Sequence, residues 1–427
     1  MNVEKIKVLA QKITPLDRAL VSDGYDKALE IISENIPLNI HSIPSGEEIW
    51  TWIVPEKWIV ENAYFTDGEN IYANYDDHPL HLISYSKPFK GRVTRAELLD
   101  HIYTDPNCEN EIPYRYKFYD RDWGFCLPHN QLHELKSEFY DVEINTKFEK
   151  GSLKIGEYLK KGKTDNCFVF MAHLDHPCQF NDGLSGVMAS LSIADYLESI
   201  ETYYTYRILI FPETIGSIAY LSQNESLLPS IKGAIASEML AVDQKLSVQH
   251  SYDSSAYIDT VVCKVLEDSS INYRSGDYLK VLRNDEKIFN SPGVMIPSVS
   301  ITRSNFPGEE NFPIYGYHTS YDNVKNADFK KFEEVSGILK NVVDFIEDDF
   351  VPKRRFKGQV MLSRYNLFVD PSIDREKYNK LEMLMWYLEG NNSIIEIARE
   401  LKLDFYWLKN YLDKFYENDL LKFSRKY

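Results

Sequence analysis

Between Cys167 and Glu238 the chain repeats one pattern: an apolar run closed by polar residues, a helix-like stretch, then the next apolar run. CFVFMAHLDH and YRILIFPET are such runs, GLSGVMASLSIADYLESI between them is amphipathic, and GAIASEMLAVD is a further run of small apolar residues. Strand-length runs alternating with helical patterns predict βαβ units, hence an α/β fold with a mixed sheet sandwiched by helices. In such sheets ligands collect at the carboxyl ends of strands. The polar residues that close each run are therefore where a site is expected.

The flanking sequence has a different texture. Residues 1–45 carry apolar positions at helical spacing (Leu9, Ile13, Leu16, Leu20, then Ala28, Leu29, Ile32), which predicts two helices with a Ser22-Asp23-Gly24 turn between them. Residues 46–147 are rich in Trp, Tyr, Val and Ile broken by Asp-Gly and Pro turns, which predicts a β-rich domain inserted into a discontinuous catalytic domain of residues 1–45 and 148–352. FVPKRRFKGQ reads as a linker. Beyond it, residues 365–427 read as a separate winged helix-turn-helix: three short helices, then KFSRKY as a small wing. More than one domain is the expectation for 427 residues in any case.

Bulk properties exclude several classes. A net charge of −17 argues against a protein whose main work is holding nucleic acid. The five cysteines are scattered, with no CxxC pair, so neither a disulfide framework nor a zinc knuckle is predicted. No apolar run approaches the roughly 18 residues that span a bilayer, and the charges within the opening MNVEKIKVLAQKI do not read as a secretory leader. The expectation is a cytoplasmic protein with no membrane partner.

The chemistry concentrates in four segments. MAHLDHPCQFNDGLSGV sets His173 and Asp175 directly after a strand, then Asp182 before a glycine and a helix. Imidazole and carboxylate are the usual zinc ligands, and Asp175 is suitably spaced to orient the imidazole. FPETIGSIAYL ends a strand in Glu213, a candidate general base. GAIASEMLAVD ends a strand in Glu238, and IYGYHTSYDN supplies His318 with Asp322 four residues on. Singly, each has an ordinary reading as a loop histidine or a helix N-terminal acid. In series at strand ends they predict a metal site of His173, Asp182, Glu238 and His318.

These residues carry a resemblance. HLD, NDGLSGV, ETIGS, the acid after a strand and YHTSYDN together resemble the co-catalytic zinc exopeptidases of the aminopeptidase Y and glutamate carboxypeptidase type. The resemblance implies that His173 and Glu238 hold one metal, Asp182 bridges, His318 belongs to a second metal, and Glu213 is the base. It also implies a second glutamate where this chain has Thr214, so one zinc is expected, with a weak second metal as the other reading. HPCQFNDGLSG, FPETIGSIAYL and RNDEKIFNSPGVMIPSVSITRS further resemble a bacterial family that combines an aminopeptidase-like domain, an inserted β-rich domain and a C-terminal winged helix. That family is linked to surface-polysaccharide gene neighbourhoods, which implies a substrate other than an ordinary peptide.

The same resemblance points at Asp285, Glu286, Ser291 and Arg303. An Asp-Glu pair can hold a substrate amine and an arginine a carboxylate, while solvated loop charge is the bland alternative. His176 is open to two readings, ligand in place of His173 or substrate contact. Counted from Val351 to Tyr427, the C-terminal stretch has more basic than acidic residues, but Phe405, Tyr406 and Trp407 crowd the start of its third helix and Lys409 is the sole base on that turn. Packing against the hydrolase or a second subunit is therefore expected ahead of DNA contact. The function expected is a zinc-dependent hydrolase of an amide bond in a small peptide or an amino-sugar or aminoacyl conjugate. Its rival is a degenerate metal-binding sensor or regulator that acts through the winged helix.

Overall fold

The computed structural model describes residues 1–427. The chain forms two compact units, Met1–Ser254 with Tyr273–Ser336, and Ser255–Asn272 with Gly337–Tyr427. No helix is long and apolar enough to cross a membrane.

The first unit is built on an eight-stranded mixed sheet. Its strands in chain order are β1 (Asn39–Pro44), β2 (Ser152–Lys160), β3 (Cys167–His173), β4 (Thr205–Phe211), β5 (Ile231–Glu238), β6 (Leu246–Gln249), β7 (Tyr273–Gly276) and β8 (Ser298–Thr302). Across the sheet they run β1-β2-β4-β3-β5-β8-β6-β7. The centre, β4-β3-β5-β8, is parallel, and antiparallel strands flank it at β2 and β6. Every residue of β3 is buried. That is the pattern of a strand covered on both faces, and it explains why CFVFMA reads as a continuous rather than alternating apolar run.

Helix α1 (Val3–Ile13) buries Ile6, Leu9, Ala10 and Ile13, and α2 (Asp23–Ser33) buries Tyr25, Ala28, Leu29 and Ile32. The first helix is shorter than its apolar spacing predicts. Thr14 is still helical and closes the last turn, but Pro15 has no N–H to continue the ladder and its ring crowds the carbonyl four residues back, so Leu16 and Leu20 lie in the connection, and Ser22 caps α2 by accepting from the Tyr25 N–H. Helix α3 (Leu184–Glu198) is buried at every position from Leu184 to Ala194 instead of being amphipathic. Small residues make this close fit to β3 and β5 possible: a Cβ on Gly186 would lie 1.8 Å from the carbonyl oxygen of Ser237.

Between β1 and β2, a four-stranded antiparallel sheet orders Ile71–Tyr72, Lys57–Thr66, Phe139–Glu149 and Phe89–Thr94. Trp58, Phe65, Phe125, Tyr140 and Ile144 from this region share one hydrophobic cluster with Val169, Met171 and Leu209 of the large sheet. The β-rich sequence thus contributes to the main core.

In the second unit, helices Arg375–Tyr387, Ile394–Glu400 and Phe405–Glu417 follow one another. The stretch read as a linker is in part a strand: Val351–Arg354 pairs antiparallel with Leu421–Ser424. Its apolar start explains the difference, since Val351 and Pro352 are buried.

One buried charge ties the large sheet together. Glu157 on β2 accepts from His41 of β1 at 2.8 Å and from the Tyr220 hydroxyl at 2.7 Å, and pairs with Arg207 of β4. Burial opposes the charge, but these partners outweigh it and hold the carboxyl down at about 2. A carboxyl lowered in the folded state stabilises above its ordinary pKa and loses that contribution as pH falls through the folded value. Glu157→Gln should therefore cost about 3 kcal/mol at neutral pH, the gap to the native protein closing between pH ~4.5 and ~2. Urea unfolding across that range checks it.

Candidate metal centre

Three adjacent parallel strands, β4, β3 and β5, end side by side, and the residues at or just beyond their carboxyl ends are Glu213, His173 and Glu238. Asp182 lies in the loop between β3 and α3, and His318 in the loop after β8. These segments converge. His173 Nε2 is 3.2 Å from Asp182 Oδ1 and 4.0 Å from Glu238 Oε2. His318 Nε2 is 2.9 Å from Asp182 Oδ2. The structure also brings in His176, whose Nε2 is 3.7 Å from both Asp182 Oδ2 and Glu213 Oε2.

The local backbone is bent to deliver these groups. Gly183, at φ +89°, turns the chain into α3, and a Cβ there would lie 2.4 Å from the His173 ring. Thr214 sits at φ 63° and ψ −63° in a γ-turn closed by the Ile215 N–H and the Glu213 carbonyl at 2.6 Å. Such a turn is strained for a β-branched residue. Met239 and His318 also have positive φ. Strain of this kind persists where surrounding structure over-determines the backbone.

The surroundings do so. Asp322 accepts from the N–H groups of Asn181 and Asp182 at 2.7 and 2.8 Å, and the Asn181 carbonyl and side chain accept from Met239 and Ala241 beyond β5. Asp175 accepts from the Glu213 N–H at 2.7 Å. No hydrogen bond joins it to the imidazole it was expected to orient. At the Nδ1 of His173 stands Asn284, whose Nδ2 is 3.1 Å away and donates to Glu238 Oε1 at 2.7 Å. Sequence reading passed over Asn284 for its charged neighbours.

Those neighbours face other groups. Asp285 accepts from the Thr214 N–H and the Ser217 hydroxyl, and Glu286 accepts from Gln249 and the Asn284 N–H. The Ser291 hydroxyl donates to the Ile288 carbonyl. Arg303 is buried, paired with Glu334 and donating to the Gln244 carbonyl. Glu286 and Arg303 thus each have partners within the fold, as buried charged groups require.

The electrostatics ask for a cation. Burial, the largest cause in each case, pushes Asp175 up to about 6, Glu213 and Asp285 up to about 7, and Glu238 well above the usual carboxylate range. Burial would lower His173, but Asp182 and Glu238 outweigh it and hold its imidazolium well above the ordinary value. Asp182, buried among three imidazoles, is held well below its ordinary value despite burial. Asp182 Oδ2 and His318 Nε2 approach closely, yet neither has a hydrogen-bond partner. His173, His176 and Asp182 each offer a ligand atom within 4.8 Å of the others. Crowded carboxylates and close, unpaired donor atoms are what a zinc ion would satisfy, and nitrogen and oxygen are donors it accepts.

The family model described as "Domain of unknown function (DUF4910)" matches residues 7–349. The chain belongs to this aminopeptidase-like family. A Clostridium acetobutylicum member, named as a polysaccharide biosynthesis protein with aminopeptidase-like domain, is 32% identical over 428 residues, covering 97% of this chain and 95% of its own. The crystal structure described as that of a peptidase from Clostridium acetobutylicum matches with 30% identity and a TM-score of 0.87, covering 99% of this chain and 96% of that one. BSAP, a zinc aminopeptidase from Bacillus subtilis, matches at 14% identity with a TM-score of 0.58 over 80% of this chain and 93% of its own. At that identity the likeness is one of fold, and it agrees with the large mixed sheet expected from the sequence.

Gly183→Ala tests how tightly the His173 loop is specified. Positive φ and the ring contact should cost roughly 1–3 kcal/mol, and displacement of His173 should weaken the uptake of any zinc held there about 10- to 100-fold. Thermal melting and zinc calorimetry read the two effects separately.

Proposed function

We propose that the chain is a zinc-dependent aminopeptidase-like hydrolase that cleaves an amide bond at the carboxyl edge of β4-β3-β5. The observation that carries this reading is the convergence of His173, Asp182, Glu238 and His318 with Glu213 beside them. His173, Asp182 and Glu238 would hold the zinc, with His318 on the far oxygen of Asp182. The ion supplies Lewis acidity toward water and the scissile carbonyl. Glu213, with 32% of its side chain exposed, is the general base. It would take a proton from the attacking water and return it to the leaving amine. Asp175 fixes Glu213 through its backbone N–H.

The substrate class we favour is a small peptide or an amino-sugar or aminoacyl conjugate. A cleft of about 420 Å³ has His176 and Glu213 in its wall and Trp52, Tyr116, Phe118 and Tyr119 as an aromatic side. Aromatic faces suit the apolar face of a sugar or an acyl group. The naming of the Clostridium acetobutylicum relative for polysaccharide biosynthesis favours a conjugate.

We read residues 46–147 as an inserted β-rich domain and residues 365–427 as a winged helix. In the latter, Phe405 is fully buried and stacks near Phe345, and Lys409 pairs with Asp413. Those partners favour a packing role for the third helix over DNA contact.

Glu213→Gln should lower turnover about 10²- to 10⁴-fold on a responsive aminoacyl or acylated-sugar amide, with zinc content unchanged by elemental analysis. His173→Ala should lose the zinc as well. A protein that binds no zinc, or whose Glu213→Gln variant hydrolyses normally, would refute the reading.

A further inference from the structure

Asp182 has two sides. Its Oδ1 faces His173, which lies beside Glu238, while its Oδ2 faces His318 at 2.9 Å and His176 at 3.7 Å. Ligand atoms about 2.1 Å from a tetrahedral zinc lie about 3.4 Å from one another, and the separations on both sides bracket that value.

The Oδ2 side is made of groups with no other use. His176 is 3% exposed, its Nδ1 has no hydrogen-bond partner, and its Nε2 stands beyond hydrogen-bond reach of both neighbouring carboxylates. Asp182 Oδ2 and His318 Nε2 face each other at 2.9 Å without a hydrogen bond to any other group. Burying polar atoms without hydrogen bonds is costly, and the His176 Nε2, Asp182 Oδ2 and His318 Nε2 that meet here indicate a ligand.

Packing holds these rings in place. Tyr114, itself buried, meets His176 and His318 edgewise, at 5.4 and 5.2 Å between ring centroids. Tyr317 stacks on His318 at 3.9 Å. The backbone carbonyl of His318 accepts from the Tyr114 N–H at 2.6 Å.

We propose that His176, Asp182 Oδ2 and His318 form a second divalent-metal position, with His176 taking the ligand role that Thr214 cannot fill. This rests on the zinc reading above for its first position and adds a second ion on the opposite side of Asp182. The second ion would be held by two imidazoles and a shared carboxylate, a softer and less charged set than one with two carboxylates. Nitrogen-rich donors favour zinc or cobalt over magnesium or manganese.

Cobalt(II) and zinc(II) titrations of the full-length protein test it, with metal counted by elemental analysis and cobalt followed by its visible absorption. The native protein should take up two equivalents. His176→Ala should retain one, its second equivalent weakened at least 100-fold, with an unchanged circular dichroism spectrum. His176→Asn gives the same count if alanine disturbs the fold. Adding Thr214→Glu to His176→Ala should restore the second equivalent. Two equivalents in both His176 variants would overturn the proposal. One equivalent in the native protein, lost in His173→Ala, would overturn it and leave the single-zinc reading standing. Uptake of none would remove both.

Discussion

The position of Asp182 governs everything at the sheet edge. Its carboxylate is buried yet lies within 4 Å of three imidazoles, and a carboxylate so placed has to be held by its backbone. Asp322 supplies that hold by taking the N–H groups of Asn181 and Asp182 on its two oxygens. Asn181 then ties the loop to the end of β5, and Ser185 links the start of α3 to Leu240. Because Asp322 follows His318 by four residues, one segment carries both a candidate ligand and the clamp for the bridging carboxylate. A shift in either moves both.

Two further ties reach the site from far along the chain. Arg18, fully buried, donates to the carbonyls of Ile13, Thr14, Leu174, His176 and Gln179. Its planar guanidinium spreads donors over the loop that carries His176, which a lysine could not do. Burial lowers its pKa to about 10, leaving it charged at neutral pH. From the β-rich region, Ile112 and Tyr114 bond to the His318 segment, and the Ser320 hydroxyl donates to Glu111. The region between β1 and β2 therefore both borders the cleft and fixes the His318 segment.

The parts of this arrangement that were legible in the sequence follow from short-range rules. A buried parallel strand has to read as a continuous apolar run, and the site residues follow such runs, so His173, Glu213 and Glu238 stand out as polar closures. What stayed hidden depends on contacts between distant segments. Nothing in RNDEK distinguishes Asn284, which meets His173, from Asp285, which bonds the Thr214 turn. Arg18 reads as an ordinary surface charge until five carbonyls are seen around it. His176 was ambiguous because HLDH offers two imidazoles, and only the fold shows both near Asp182. Helix α1 was overextended because apolar spacing continued past Pro15, where backbone sterics prevail.

The cost of this construction explains why so many ties converge on it. Asp175, Glu213, Glu238 and Asp285 all carry raised pKa values from burial. Each such group destabilises the fold once pH exceeds its ordinary pKa, since the unfolded chain ionises it freely. Positive φ at Thr214, Met239 and His318 adds strain in the same place. A cation among these carboxylates would reverse the electrostatic part, favouring the ionised forms that burial disfavours. Occupancy of the site and stability of the first unit are then linked quantities. Arg18, Asp322 and the Ile112–Tyr114 segment, which touch the loops rather than the donor atoms, preserve the geometry when that compensation is absent.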